Sequence, residues 1–186
     1  MPSAAHIAVA LASFATAAVC VPAAASADDL LYALKLGILA HDVPDLWSGS
    51  QLETSAPDLN FEAQFKPALA MPWGSIRPVI GGTINTDGGT SHGYIDARWQ
   101  ADGAYGLFYG LGLGAAIHDG EIGGLGADPD KKWLGSRVLL HFPFEIGLHL
   151  DANHDVSLYF EHTSNAYTKI YNEGLDRIGI RYGYRF

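Results

Sequence analysis

Between Leu134 and Leu150 the chain alternates with a period of two: Val138, Leu140, Phe142, Phe144, Ile146 and Leu148 fall on one parity, Arg137, His141, Glu145 and His149 on the other. A period of two is that of an extended strand with one apolar and one polar face, and it does not fit the 3.6-residue period of a helix. Seven further stretches read the same way, roughly Leu31 to His41, Asp58 to Phe65, Ser75 to Asn85, His92 to Gln100, Ala104 to Ile117, Asp155 to Thr163 and Gly174 to Phe186. Together they predict an all-β fold of eight strands. In the second, Leu59, Phe61, Ala63 and Phe65 alternate with Asn60, Glu62 and Gln64; in the fifth, Tyr109, Leu111, Leu113 and Ile117 alternate with glycines and Ala116, small enough for a narrow lumen.

Eight such strands can close in two ways. A soluble lipocalin-like barrel keeps its apolar face inside, whereas an outer-membrane barrel turns that face to lipid and packs its lumen with polar groups. Asp96, Arg98, Arg137, Glu145, Arg177, Arg181 and Arg185 lie opposite the apolar sets. Several strands also approach the length needed to cross a bilayer at a tilt. Finally, Ile178, Ile180, Tyr182, Tyr184 and the terminal Phe186 share one face, which resembles the assembly signal of bacterial outer-membrane proteins. The expectation is an eight-stranded antiparallel transmembrane β-barrel, with the soluble barrel as its rival.

The N-terminal stretch from Ala4 to Ala25 carries no Asp, Glu, Lys or Arg and exits through Ala25-Ser26-Ala27 before Asp28. This fits a cleaved secretory signal peptide over residues 1–27, leaving a barrel over 28–186. A membrane helix is the alternative, but Pro22 interrupts the run and it lacks sustained Leu, Ile and Val. The single cysteine, Cys20, falls inside this leader, so no disulfide is expected in the mature chain. With 20 acidic residues against 11 Lys and Arg, the net charge of -9 argues against binding nucleic acid.

In a membrane barrel with both termini periplasmic, odd-numbered connections face outward. The long stretches Asp42 to Gln51 and Asp119 to Trp133 and the connection Asn165 to Glu173 fall outside; the short Asp102-Gly103 and Asp151 to His154 fall inside. The seventh strand places Val156, Leu158, Phe160, His162 and Ser164 on one lipid-side face, and the eighth continues its apolar face upward to Asp176. Antiparallel pairing around the seventh connection allows His162 to lie opposite Asp176, with Cβ atoms about 5 Å apart. Such a cluster is costly beside lipid unless chemistry requires it. Ser164 becomes a nucleophile when His162 takes its proton, and Asp176 holds the imidazole tautomer and steadies its cation. Asn165, next in sequence, offers a side-chain or backbone N–H to a developing oxyanion. Against this stands the plain reading that His-x-Ser arises by chance and that barrel rims are polar because headgroups are.

The segment His162-Thr163-Ser164-Asn165-Ala166, then Asn172-Glu173-Gly174-Leu175-Asp176, and the ending Tyr184-Arg185-Phe186 resemble the C-terminal signature of the lipid A 3-O-deacylases, the PagL family. The resemblance covers roughly the last quarter of the chain; upstream it is architectural. It implies an outer-membrane barrel that hydrolyses the ester at position 3 of lipid A and releases a 3-hydroxy fatty acid, with Ser164 as nucleophile, His162 as base and Asn165 as oxyanion helper. The family's acid is a glutamate, whereas the matching spacing here gives Asp176, one methylene shorter, with Glu173 in reserve. The implied partner is lipid A or lipopolysaccharide in the outer membrane, bound by a monomer or homodimer.

Other features carry less. His41-Asp42, His118-Asp119 and His92 lack a second ligand at recognisable spacing and read as polar loop residues, so no metal is expected. The glycines Gly106, Gly110, Gly112 and Gly114 do not follow a strand-then-helix pattern, and no cofactor is expected. Lys131, Lys132 and Lys169 are placed to meet lipid A phosphates or to stay solvated. Trp47, Trp73, Trp99 and Trp133 suit interfacial girdles. Two other functions compete: a non-enzymatic small barrel for adhesion or envelope integrity, and a soluble barrel binding an apolar ligand.

Overall fold

A computed structural model describes residues 30–50 and 53–186; the expected signal peptide therefore lies outside the described residues. Among the described residues nine strands form in chain order: β1 (Leu31–Ala40), β2 (Asp58–Phe65), β3 (Leu69–Met71), β4 (Gly74–Asn85), β5 (His92–Asp102), β6 (Leu107–His118), β7 (Val138–His149), β8 (His154–Ser164) and β9 (Leu175–Arg185). All neighbours pair antiparallel, β9 returns to β1, and β2 pairs with β4, which closes a ring of eight staves. The three-residue β3 pairs only with β4 and stands outside the ring. The eight-strand expectation holds.

Two strand starts differ from the periodicity by three residues or more. β6 starts at Leu107 because Ala104–Gly106 form a tight 3-10 turn in which Tyr105 and Gly106 take positive φ of 60° and 78°. β7 starts at Val138, since Leu134 leaves the strand and is buried against Leu139 of β7 and Leu175 of β9.

Facing follows the alternation along every stave. Ile180 is 68% exposed and its neighbour Arg181 is fully buried; the same contrast separates exposed Leu36 and Ile38 from buried Lys35. The lumen is a lattice of ion pairs. Arg181 donates to Glu62 at 2.9 Å and to Glu145 at 2.7 Å, and its guanidinium lies 3.6 Å from the ring centre of Tyr159. Arg98 reaches Glu62 and Asp96, both at 2.9 Å, and Lys35 reaches Glu145 at 2.9 Å. Buried charges persist only when each finds partners. Two glycines of β6 make room for them: a Cβ on Gly112 would stand 2.7 Å from Nε of Arg98, and one on Gly114 2.0 Å from Oδ1 of Asp96.

This interior overturns the soluble-barrel alternative, which needs an apolar lumen. Apolar side chains outside and charges inside is the inversion that lipid-facing barrels require. The connections β1–β2, β4–β5, β6–β7 and β8–β9 gather at one end of the cylinder, and the first and last strand termini at the other.

Candidate active site

His162 and Ser164 stand two residues apart near the end of β8, and therefore on one face. The β8–β9 register sets His162 directly opposite Asp176, and the β7–β8 register sets it opposite Phe142 on the other side. Nδ1 of His162 lies 2.6 Å from Oδ1 of Asp176, and Nε2 lies 2.9 Å from Oγ of Ser164. A carboxylate beside Nδ1 keeps the proton there, so Nδ1–H donates to Asp176 and the Nε2 lone pair accepts from the serine hydroxyl. A hydroxyl, an imidazole and a carboxylate in that order can draw the proton off the hydroxyl.

The three groups sit on the exterior side of the wall, as the alternation predicts, yet they are not bare. His162 and Asp176 are buried and Ser164 is half-buried, because the β1–β2 connection folds over them. Trp47 stacks on His162 with ring centres 4.4 Å apart and planes 17° from parallel. The backbone N–H groups of Trp47 and Ser48 donate to Oδ2 of Asp176 at 2.5 and 2.7 Å, so both carboxylate oxygens are satisfied in a site shielded from water. Gly174 packs against the imidazole: a Cβ there would come within 2.8 Å of Cε1 of His162. A cleft of about 460 Å³ opens above, lined by Trp47, Phe142, Ser164, Tyr167 and Asn172 among others.

The remaining candidates separate. Both N–H groups of the Asn165 amide are taken, by the carbonyls of Leu134 at 2.8 Å and Tyr171 at 2.6 Å. Its side chain therefore ties the turn to neighbouring loops instead of reaching toward the serine, and only its backbone N–H is left for the expected role. Ala166 and Tyr167, just beyond, take positive φ of 51° and 62°, a strain that non-glycine residues hold only where surroundings impose it. Glu173, the reserve acid, accepts from the backbone N–H of Trp133 and its backbone N–H donates to the Trp133 carbonyl; it has no bond to His162.

The histidines expected in polar loops lie deeper. His41 is buried with Nδ1 2.8 Å from Asp58 and Nε2 2.9 Å from Glu53. Burial favours its neutral form, but those two carboxylates outweigh burial and hold its pKa above the ordinary value. Burial likewise pushes the Glu53 carboxyl up, while bonds from His41, Thr90 and the Lys132 backbone hold it at about 2. Nε2–H of His118 donates to the Ser136 carbonyl at 2.7 Å. His92, His141 and Glu161 bring three ligand atoms within 4.8 Å of one another inside the barrel. Nη1 of Arg177 lies 2.9 Å from Nδ1 of His92, and a guanidinium can only donate. That fixes the His92 proton on Nε2, the atom a metal would need, and sets a permanent cation beside the cluster, so the donor set does not suit a metal.

Of the lysines, Lys132 is buried, Lys131 is bound to the Gly88 carbonyl and Lys169 is exposed. Spacing gave no hint of the parts played by Trp47 and Ser48; they belong to a connection remote in sequence, and only the closed barrel brings them to Asp176.

A family model described as lipid A 3-O-deacylase (PagL) matches residues 59–185. Among solved structures, that of the outer membrane enzyme PagL superposes with a TM-score of 0.62 at 17% identity, covering 83% of this chain and 99% of that one. Neisserial surface protein A (NspA) follows with a TM-score of 0.51 at 12% identity, covering 84% and 97%. At such identities the two structures establish the shared barrel fold. No curated protein matches significantly by sequence.

Proposed function

The chain belongs to the lipid A 3-O-deacylase (PagL) family, and from that premise we propose that it is an outer-membrane serine esterase acting at the 3-position acyl ester of lipid A. The single observation that carries the serine mechanism is the relay from Ser164 through His162 to Asp176, with bonds of 2.9 and 2.6 Å, on the outer side of the wall. An ester whose acyl chains lie in the outer leaflet meets such a group from the side, without entering the lumen.

Each step then has a named atom. Oγ of Ser164 attacks the ester carbonyl carbon as its proton passes to Nε2 of His162, and Asp176 stabilises the resulting imidazolium. Backbone N–H groups of the Ser164–Asn165 turn are the donors nearest the new oxyanion. Collapse breaks the bond to the 3-oxygen of the sugar, which leaves with the proton from His162. Water, deprotonated by the same imidazole, then cleaves the acyl-serine and frees the 3-hydroxy fatty acid.

Aspartate serves here where the family uses glutamate because the register places it directly across from His162, and two backbone N–H groups hold its far oxygen. The apolar rim of Trp47 and Phe142 suits an acyl chain. Mass spectrometry of lipid A from cells producing the protein is expected to show loss of one 3-hydroxyacyl group relative to cells without it; an unchanged lipid A profile with folded barrel in the outer membrane contradicts the reading and favours a non-enzymatic envelope barrel.

A further inference from the structure

Among the described residues, Lys132 is the one buried lysine outside the ring of staves. It belongs to the β6–β7 connection, and its ammonium reaches into the β1–β2 connection. Nζ donates to the Ser50 carbonyl at 2.5 Å and approaches the Ser48 carbonyl at 3.4 Å, with Oδ1 of Asp42 at 3.3 Å. Between those two carbonyls lies Gly49 with a φ of +82° and open space where a Cβ would stand, the left-handed bend that turns both carbonyls toward one cation. The Gly49 carbonyl in turn accepts from the N–H of Asp45 at 2.8 Å. The Lys132 backbone N–H is fixed separately by Oε1 of Glu53 at 3.1 Å.

Ser48 faces both ways. Its carbonyl looks to Lys132, and its N–H donates to Asp176 at 2.7 Å, next to that of Trp47. We infer that Lys132 is a positioning residue for the hydrolysis: by gathering the carbonyls of Ser48 and Ser50 it aims two backbone N–H groups at Asp176 and lays Trp47 on His162. The inference rests on the serine-esterase reading above. An ammonium taken out of water is costly, and here its bonds end on the segment that holds the carboxylate, not on a distant packing contact. Misaligning a relay by an ångström lowers turnover with little change in substrate affinity.

The test uses purified, folded barrel and lipopolysaccharide in detergent micelles, with release of 3-hydroxy fatty acid as readout. Lys132→Met is expected to lower kcat roughly tenfold or more while KM stays within about twofold, and Lys132→Arg, which keeps donors and charge, to regain most of the loss. Placed on Asp176→Asn, the Lys132→Met change should cost nothing further, because residues acting through one group are not additive. If Lys132→Met gives no heat-modifiable barrel, Lys132→Gln, with one shorter donor, carries the same comparison. A readout free of turnover is the downfield Nδ1 proton of His162 in NMR spectra, assigned by its loss in His162→Ala; it should broaden or move upfield in Lys132→Met. Wild-type kcat in the lysine variant, an equal fold loss on the Asp176→Asn background, or an unmoved proton resonance overturns the inference. Absence of any release by the wild-type barrel defeats the esterase reading instead, and the proton resonance then decides the role of Lys132 alone.

Discussion

Asp176 and His162 stand directly across from one another in the β8–β9 register, with Oδ1 and Nδ1 2.6 Å apart. The pairing makes the carboxylate part of the sheet's own geometry, so its distance to the imidazole does not depend on the mobility of a loop side chain. Glu173, three residues earlier, is bound to the Trp133 backbone. Asp176→Asn is therefore expected to cut kcat by up to about 10⁴-fold, through loss of the correct tautomer. Glu173→Gln should leave turnover within about tenfold of wild type, losing only a loop hydrogen bond. Initial rates of fatty-acid release on both variants check the order; the reverse order assigns the acid to the loop.

Gly174 gives a steric test of the same alignment. A methyl group there meets Cε1 of His162 at 2.8 Å and the Thr163 carbonyl at 3.2 Å, so the ring must shift. Gly174→Ala is expected to lower kcat by about 10²-fold, the usual scale for an ångström of misplacement, while the heat-modifiable band persists. Turnover near wild type in this variant removes the claim that the imidazole is held tightly from that side.

The connections that cover the site should have a pH window. Glu53 is held at about 2, below its ordinary value of 4.5, so its share of stability is present above that ordinary value and drains as the pH falls through the folded one. His41 is raised above its ordinary 6.5, so its share is full below 6.5 and lost as the pH rises through the folded value. The β1–β2 connection is expected to resist limited proteolysis best between those two ordinary values. Glu53→Gln should abolish the acid limb of that profile; an unchanged acid limb contradicts the assignment.

Inside the wall, Glu62 accepts from Arg181, Arg98, Tyr94 and Gln64, all at 2.9 Å. Glu62→Gln leaves two buried guanidinium groups short of charge and is expected to destabilise the barrel by about 3–5 kcal/mol. Urea titration of the folded barrel in micelles measures it. A change below about 1 kcal/mol shows that the lumen reorganises or admits water.

Much of this was legible in the chain. Alternation on β7 and β9 separated Phe142 and Ile180 from His141 and Arg181, and that parity placed His162, Ser164 and Asp176 on one exterior face. What periodicity could not show was contact between elements distant in sequence. Trp47 read as a girdle residue, Lys132 as a charge for lipid A phosphates or for solvent, and His41 as a polar loop residue, because their partners Asp176, Ser50 and Asp58 lie on other elements. Asn165 was legible only in part. Its adjacency to Ser164 suggested a side-chain or backbone donor to an oxyanion; the carbonyls of Leu134 and Tyr171 claim the side-chain amide, which leaves the backbone N–H.

The most direct test is Ser164→Ala. The substitution removes one oxygen from a half-buried site and leaves the His162–Asp176 bond and the ion-paired lumen in place. With purified barrel and lipopolysaccharide, the account predicts a normal heat-modifiable band and no detectable 3-hydroxy fatty acid. Fatty-acid release at the wild-type rate from that folded variant would contradict it.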